Sequence, residues 1–177
     1  MKVIRRHAPS YNLEGKLTEL TGGVNLSVLP GITSYNGLQL LAEIGTDMSR
    51  WPTEKHFTSW LGLAPQTHQS GKMANKGKTK RHKSKASQIL RLASRTIGRS
   101  KTALGAFDRR ISRQKDAPTA ITATARKLAV QIYKLLKYKE DYKEFGSEEY
   151  EKRYNVMQLH NLERKAKMLG LTLIKAV

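Results

Sequence analysis

The side chains able to do chemistry concentrate in one stretch, HQSGKMANKGKTKRHKSK, from His68 to Lys85. It carries seven Lys/Arg, no acid, and Met73 as its one large apolar residue. Ser70-Gly71 lies near its start. A serine hydroxyl is a poor nucleophile until a base, a metal or dense positive charge assists it. Gly71 lets a ligand come close to the backbone. Lys72 and Lys76 are suited to stabilise a pentavalent phosphorus and its leaving oxygen, and His68 is the nearby candidate base. Three readings of the stretch stand open: a solvated basic loop, a nucleic-acid clamp, or a clamp with a nucleophile at its mouth. A lone Ser-Gly step does not choose among them.

The charge around the stretch narrows the choice. The net charge is +19, from 33 Lys+Arg against 14 Asp+Glu, and it is unevenly spread. Residues 1–54 hold five of each sign, residues 55–107 hold twelve Lys/Arg and no acid, and residues 108–177 hold sixteen against nine. A solubilising surface would interleave Glu with Lys; a one-signed region inside a mixed chain is the footprint of a polyanion partner. Other classes drop out. There is no cysteine, so no disulfide framework, thiol nucleophile or cysteine zinc site is expected. The five histidines form no H-x-x-x-H pair, and no metal site is assigned. No run of about 18 apolar residues suggests a membrane span. The N-terminal MKVIRRHAPSYNLEG has no apolar stretch behind its charges, unlike a secretory signal. The expectation is a cytoplasmic, nucleoid-associated protein with no membrane partner.

The elements that must hold these residues read as helices. After Leu29-Pro30-Gly31-Ile32, the segment SYNGLQLLAEIG places Leu38, Leu41 and Ala42 on one face, with Gly45 as the stop. A short helix is predicted from Pro52 to Leu61, with Ser49 and Thr53 as cap candidates. One longer helix is predicted from about Ser84 to Phe107, where Ile89, Ala93 and Ile97 face the core. Arg91, Arg95 and Arg99 recur every four residues on nearly the opposite side, with no Glu at i±4 to pair them. Asp116-Ala117-Pro118 caps a central core helix carrying Ile121, Ala125, Leu128, Ala129, Ile132, Leu135 and Leu136. Ser147-Glu148-Glu149 opens a last amphipathic helix with Tyr150, Tyr154, Met157, Leu162 and Ala166, closed by Gly170, its acids leading and its bases trailing. The fold class is therefore all-α: a helical domain with a helix-hairpin-helix-like N-terminal motif and a long basic loop. Its organisation reads as a linker or extension over 1–23, the helical domain over 24–142, and a C-terminal helix over 143–177 that packs on the core or on a partner.

The hairpin reading rests on Leu26-x-x-Leu29-Pro-Gly31-Ile32-Thr33-x-x-x-Gly37-Leu38. In such a motif a tight glycine turn offers backbone N–H groups to a DNA phosphate, which makes Gly31 a candidate contact. Thr33 stands where the motif has its second glycine.

Several blocks together resemble a known family. PGITSYNGLQLLAEIG, MSRWPTEKHFTSWLGLAPQTHQSGK, SQILRLASRTIGRSKTALGAFDRRI and APTAITATARKLAVQIYKLLKYKEDY resemble, in that order, the C-terminal half of the IS-one-ten insertion-sequence transposases, with their IS-one-sixteen and IS-one-one-one-one relatives. The resemblance runs from about His7 to Leu173. It implies a helical transposase domain whose SG serine, here Ser70, attacks a DNA phosphodiester and forms a covalent phosphoserine. It further implies a separate RNase H-like half with four magnesium-binding acids, contacts to a guide RNA, and composite sites shared between protomers. No cofactor is expected in this chain itself; Mg²⁺ belongs with the other half. DNA is the expected partner, with a guide RNA, an intact transposase or a second copy of the chain as further ones. The chain begins at the family's linker, which reads as a truncated or separately encoded half. Two departures stand out: Ser70-Gly71-Lys72 replaces the family's SGG, and KTKRHKSKAS is more basic than the family pattern.

The expected interface is accordingly Lys55 to Phe107, with Ser70 as nucleophile, Lys72, Lys76, Lys78, Lys80, Arg81, Lys83 and Lys85 as clamps, and Arg91, Arg95 and Arg99 as a phosphate stripe. The rivals are a non-catalytic DNA-binding module and a ribosomal-style RNA-binding protein, suggested by small size and a pI near 10.3.

Overall fold

The computed structural model describes residues 11–65, 69–70, 73–74 and 84–174. Among the described residues, seven α-helices and one pair of two-residue strands make up the chain: α1 (Leu13–Leu20), a 3₁₀ turn (Leu26–Val28), α2 (Ser34–Ile44), α3 (Glu54–Trp60), β1 (Gln69–Ser70), β2 (Met73–Ala74), α4 (Lys85–Ile97), α5 (Ala103–Gln114), α6 (Ala117–Tyr138) and α7 (Gly146–Met168). The fold is all-α.

Helix α6 is the centre, packed against α3, α4 and α5, while α2 joins α1 to α4. The Asp116 carboxylate accepts from the Thr119 N–H (2.6 Å) and starts α6; the Thr119 hydroxyl and then this N–H hold its carboxyl below the usual value. Leu128, Ala129, Ile132 and Tyr133 are fully buried. They share one core with Leu40, Phe57, Leu90 and Ile97. Leu17 of α1, in the stretch before residue 24, is buried in that same core. Trp51, Phe57, Trp60 and Tyr133 form an aromatic cluster with neighbouring centroids 5.0–6.4 Å apart. Such pairs add to area burial, so the two tryptophans belong to a packed interior.

Two expectations change. The helix expected from Ser84 to Phe107 is two helices, because residues 98–102 turn the chain. Ser100 Oγ donates to the Ile97 carbonyl (2.7 Å), and Arg109 Nη1 donates to the carbonyls of Gly98 (3.0 Å) and Ser100 (2.7 Å). The C-terminal carbonyls that continued helix would have satisfied are thus taken up by side chains. Thr102 then caps α5 by accepting from the Gly105 N–H (3.1 Å). A Cβ on Gly105 would lie 2.5 Å from the Ser100 carbonyl oxygen, so the glycine of ALGAF permits the turn.

The second change is rotational. Leu90, not Ile89, is the deepest residue of α4's middle turn, and Ile89 is half-buried. The apolar face is rotated by one residue, toward Arg91.

Helix α7 touches α5 through Tyr150 and Tyr154. Arg110 lies 4.2 Å over the Tyr154 ring and donates from Nε to the Tyr150 hydroxyl (3.1 Å). Met157 and Leu162, expected on the packed face, are about half exposed (49% and 51%).

Candidate nucleic-acid interface

The chain ahead of Ser70 is firmly held as far as Leu63. Helix α3 ends in a Schellman turn: the Gly62 N–H donates to Ser59 (2.9 Å) and the Leu63 N–H to Thr58 (2.9 Å). Gly62 has φ +66°, which favours glycine, and Leu63 is buried behind it. The segment before α3 is tied to α6. The Tyr133 hydroxyl donates to the Trp51 carbonyl (2.9 Å). Lys137 Nζ donates to the Tyr133 hydroxyl (2.6 Å) and to the carbonyls of Trp51 (3.0 Å) and Pro52 (2.9 Å). Beyond α3, β1 and β2 pair antiparallel in the register Gln69 with Ala74 and Ser70 with Met73. The Ser70 backbone therefore sits on a hairpin rung. Gly71, Lys72, Lys76, Lys78, Lys80, Arg81 and Lys83 lie outside the described residues.

Lys85 opens α4, which Ser84 caps by accepting from the Ser87 N–H (3.1 Å). The Lys85 ammonium is 3.8 Å from Glu43 Oε1 on α2, and its side chain is 80% exposed. A pair so exposed and so long is screened by solvent, and the cation is still available to another anion.

The arginines of α4 divide. Arg91 is half-buried; it donates from Nη1 to Thr122 Oγ1 on α6 (3.1 Å) and from Nε to Ser87 Oγ (3.4 Å). Its guanidinium is anchored at the seam between helices. Arg95 and Arg99 are exposed. They line an open cleft of about 510 Å³ between α4, α5 and the start of α6, together with Arg109 and Arg113 of α5. Those last two went unremarked in the sequence. The signal for them was present: Arg109 and Arg113 repeat the four-residue spacing of the α4 row. Only the fold brings the two rows together.

Gly31 has φ +75°, and a Cβ there would lie 2.8 Å from the Ala93 carbonyl oxygen and 3.0 Å from Ile97 Cγ1. The turn is thus packed onto α4. Before it stands a three-residue 3₁₀ turn, not a full first helix. Thr33, in place of the motif's second glycine, caps α2 by accepting from the Asn36 N–H (3.2 Å).

Among the described residues no group of three or more His, Asp or Glu gathers to hold a metal ion. Among them, too, no helix is long and apolar enough to cross a membrane.

Comparison with known families finds a likeness to insertion-sequence transposases. Residues 24–108, from just before the 3₁₀ turn to the middle of α5, match the model of the Transposase IS116/IS110/IS902 family, and that stretch is similar to the domain of those transposases. A search of curated proteins finds no match.

Proposed function

We propose that this chain is the DNA-handling part of an insertion-sequence transposase, gripping the phosphate backbone through Lys55–Phe107 and presenting Ser70 to a scissile phosphodiester. The observation that carries the reading is the run of twelve Lys/Arg without an acid over residues 55–107, inside the segment that matches the transposase family. In the chemical step the Ser70 Oγ–phosphorus bond forms and one phosphorus–oxygen bond to the sugar breaks. The hydroxyl proton passes to a base, for which His68 is the candidate, and the departing sugar oxygen takes up a proton. Cations at Lys72 and Lys76 would stabilise the pentavalent phosphorus, where preorganised charge lowers a barrier most. Any magnesium would be held by carboxylates from outside the described residues. A guide RNA or further protomers would join on the same basis.

Duplex binding titrated against salt tests the grip. With about seven phosphates contacted, log affinity falls with log salt at a slope near −6; a slope near zero sinks the reading. The serine is tested apart from the grip. Ser70→Ala should leave duplex affinity within about twofold, since a hydroxyl adds no charge to the counterion term. The chain alone with Mg²⁺ and end-bearing DNA should yield no joined product, and joined product would show that its own residues suffice.

A further inference from the structure

We infer that the cleft between α4, α5 and α6 is a second DNA-backbone site, in which Arg95 and Arg99 on one wall and Arg109 and Arg113 on the other clasp the phosphates of one strand. It rests on the DNA-binding reading above and assigns that reading a groove built from residues outside the segment His68–Lys83.

The charge of the cleft comes first. Four guanidiniums line it against one carboxylate, Asp108. Asp108 already has a partner, since its Oδ1 accepts from Thr124 Oγ1 on α6 (2.8 Å). Its Oδ2 would lie 2.6 Å from a Cβ on Gly98, so Asp108 is pressed to the floor where α5 meets the end of α4. Among the described residues none of the four arginines is ion-paired. An array of unneutralised guanidiniums repels itself, and an anion of matching shape relieves the repulsion.

Spacing decides which anion. Arg91 and Arg95 are four residues apart on α4, ~6 Å along the helix axis, and Arg99 follows in the turn just after Ile97. Four guanidiniums spread over two walls of one open cleft suit a polymer with successive charges better than a single small anion. Arg91 marks one end, held at the α6 seam by Thr122. Arg109 is prepositioned, because the Gly98 and Ser100 carbonyls hold its Nη1, and its remaining N–H donors are left for a ligand. Arg113, in the last turn of α5, lines the same cleft as Arg95 and Arg99. A strand lying between the walls is contacted from both sides, whereas a duplex resting on a flat surface would meet one row. Arginine at both walls favours bidentate phosphate contacts.

The test is a triple substitution, Arg95→Gln, Arg99→Gln and Arg113→Gln, all at exposed positions, set beside a control of equal charge on α7, Lys152→Gln, Lys165→Gln and Lys167→Gln. Affinity for a labelled DNA duplex with a single-stranded tail is measured against salt for each full-length protein. The cleft triple should reduce the magnitude of the log–log slope by about 2–3, from about 0.7–0.9 per lost phosphate contact. The control should leave it unchanged. An unchanged slope in the cleft triple, or an equal loss in the control, overturns the proposal while leaving the DNA reading intact; a near-zero slope in the unsubstituted chain sinks that reading itself. Asp108→Asn gives an opposite-signed check. The amide oxygen still accepts from Thr124 while the one negative charge leaves the cleft, so affinity should rise several-fold at low salt. A fall in affinity by a correctly folded Asp108→Asn protein also overturns the proposal.

Discussion

Helices α4 and α7 are both charged, both amphipathic in sequence, and end with basic residues in their last turns. They serve different ends. Helix α4 buries six of its thirteen residues, and its cations have no acid within the helix. Helix α7 buries one of its twenty-three, Ala166, and neutralises itself. Arg153 meets Glu149 at 2.7 Å, and His160 lies 3.4 Å from Glu163. Charge compensated within a helix is a solvated face worth little. Charge left uncompensated on a helix clamped into the core is a fixed electrostatic surface. The contrast teaches that the number of cations says less about an interface than the rigidity and the neutralisation of the helix that carries them.

Stability should separate the two helices most sharply. Leu90 is fully buried in α4, and Leu90→Ala should cost about 2–5 kcal/mol from lost burial and the cavity left behind. Met157 of α7 is about half exposed, and Met157→Ala should stay within about 0.5 kcal/mol. Urea denaturation of both variants checks this. Similar costs would mean that α7's outer face is covered in solution, and the contrast between the helices would fail.

Gly31 gives the next effect in size, because it can act through packing or through DNA. Its positive φ and the 2.8 Å approach of a Cβ to the Ala93 carbonyl oxygen predict that Gly31→Ala costs about 1–3 kcal/mol. Duplex affinity, measured where the variant is still folded, should be unchanged. A tenfold loss of affinity with stability intact would instead put the turn in contact with phosphate, as the hairpin pattern in the sequence suggests.

These outcomes bear on how much the sequence could tell. Helices α2, α3 and α6 were legible because each has local punctuation: Gly45 after α2, Thr53 before α3, and Asp116 with Pro118 at the start of α6. The all-α class followed from helical spacing and caps, and the acid-free basic region from the distribution of charge along the chain. The break at 98–102 was not legible, since Arg109, eleven residues from Gly98, supplies the carbonyl partner that ends α4. Helix α1 offers eight residues and a single buried leucine, too little periodicity to distinguish it from a linker. The arginine cleft needed three dimensions, because Arg113 reaches the α4 row only after the chain has reversed. The reverse holds at Arg91: four-residue spacing placed it with Arg95 and Arg99, but Thr122 and Ser87 draw it into the seam.

The smallest effect tests what holds α7 in place at all. Glu144 joins two helix starts: its Oε1 accepts from the Ala103 N–H of α5 (2.8 Å) and the Gly146 N–H of α7 (2.8 Å), and its Oε2 accepts from the Tyr142 hydroxyl. Burial acts to raise its pKa, but the bonds from Ala103, Tyr142, Gly146 and Phe145 outweigh it, and the carboxyl sits below its ordinary value of 4.5. A carboxyl lowered in the folded state binds more protons when unfolded, so its contribution is complete above about pH 4.5 and is lost as pH falls through the folded value. Glu144 is exposed, so solvent screening keeps that contribution to about 0.5–1 kcal/mol. Amide protection in α7, exchange relative to its intrinsic rate at each pH, should therefore fall on acidification before protection in α4 or α6 does. Glu144→Gln should show the faster α7 exchange already at neutral pH and lose the acid-induced step. If the step survives in that variant, the docking of α7 rests on Tyr150 and Tyr154 against Arg110, and the carboxylate is incidental to it.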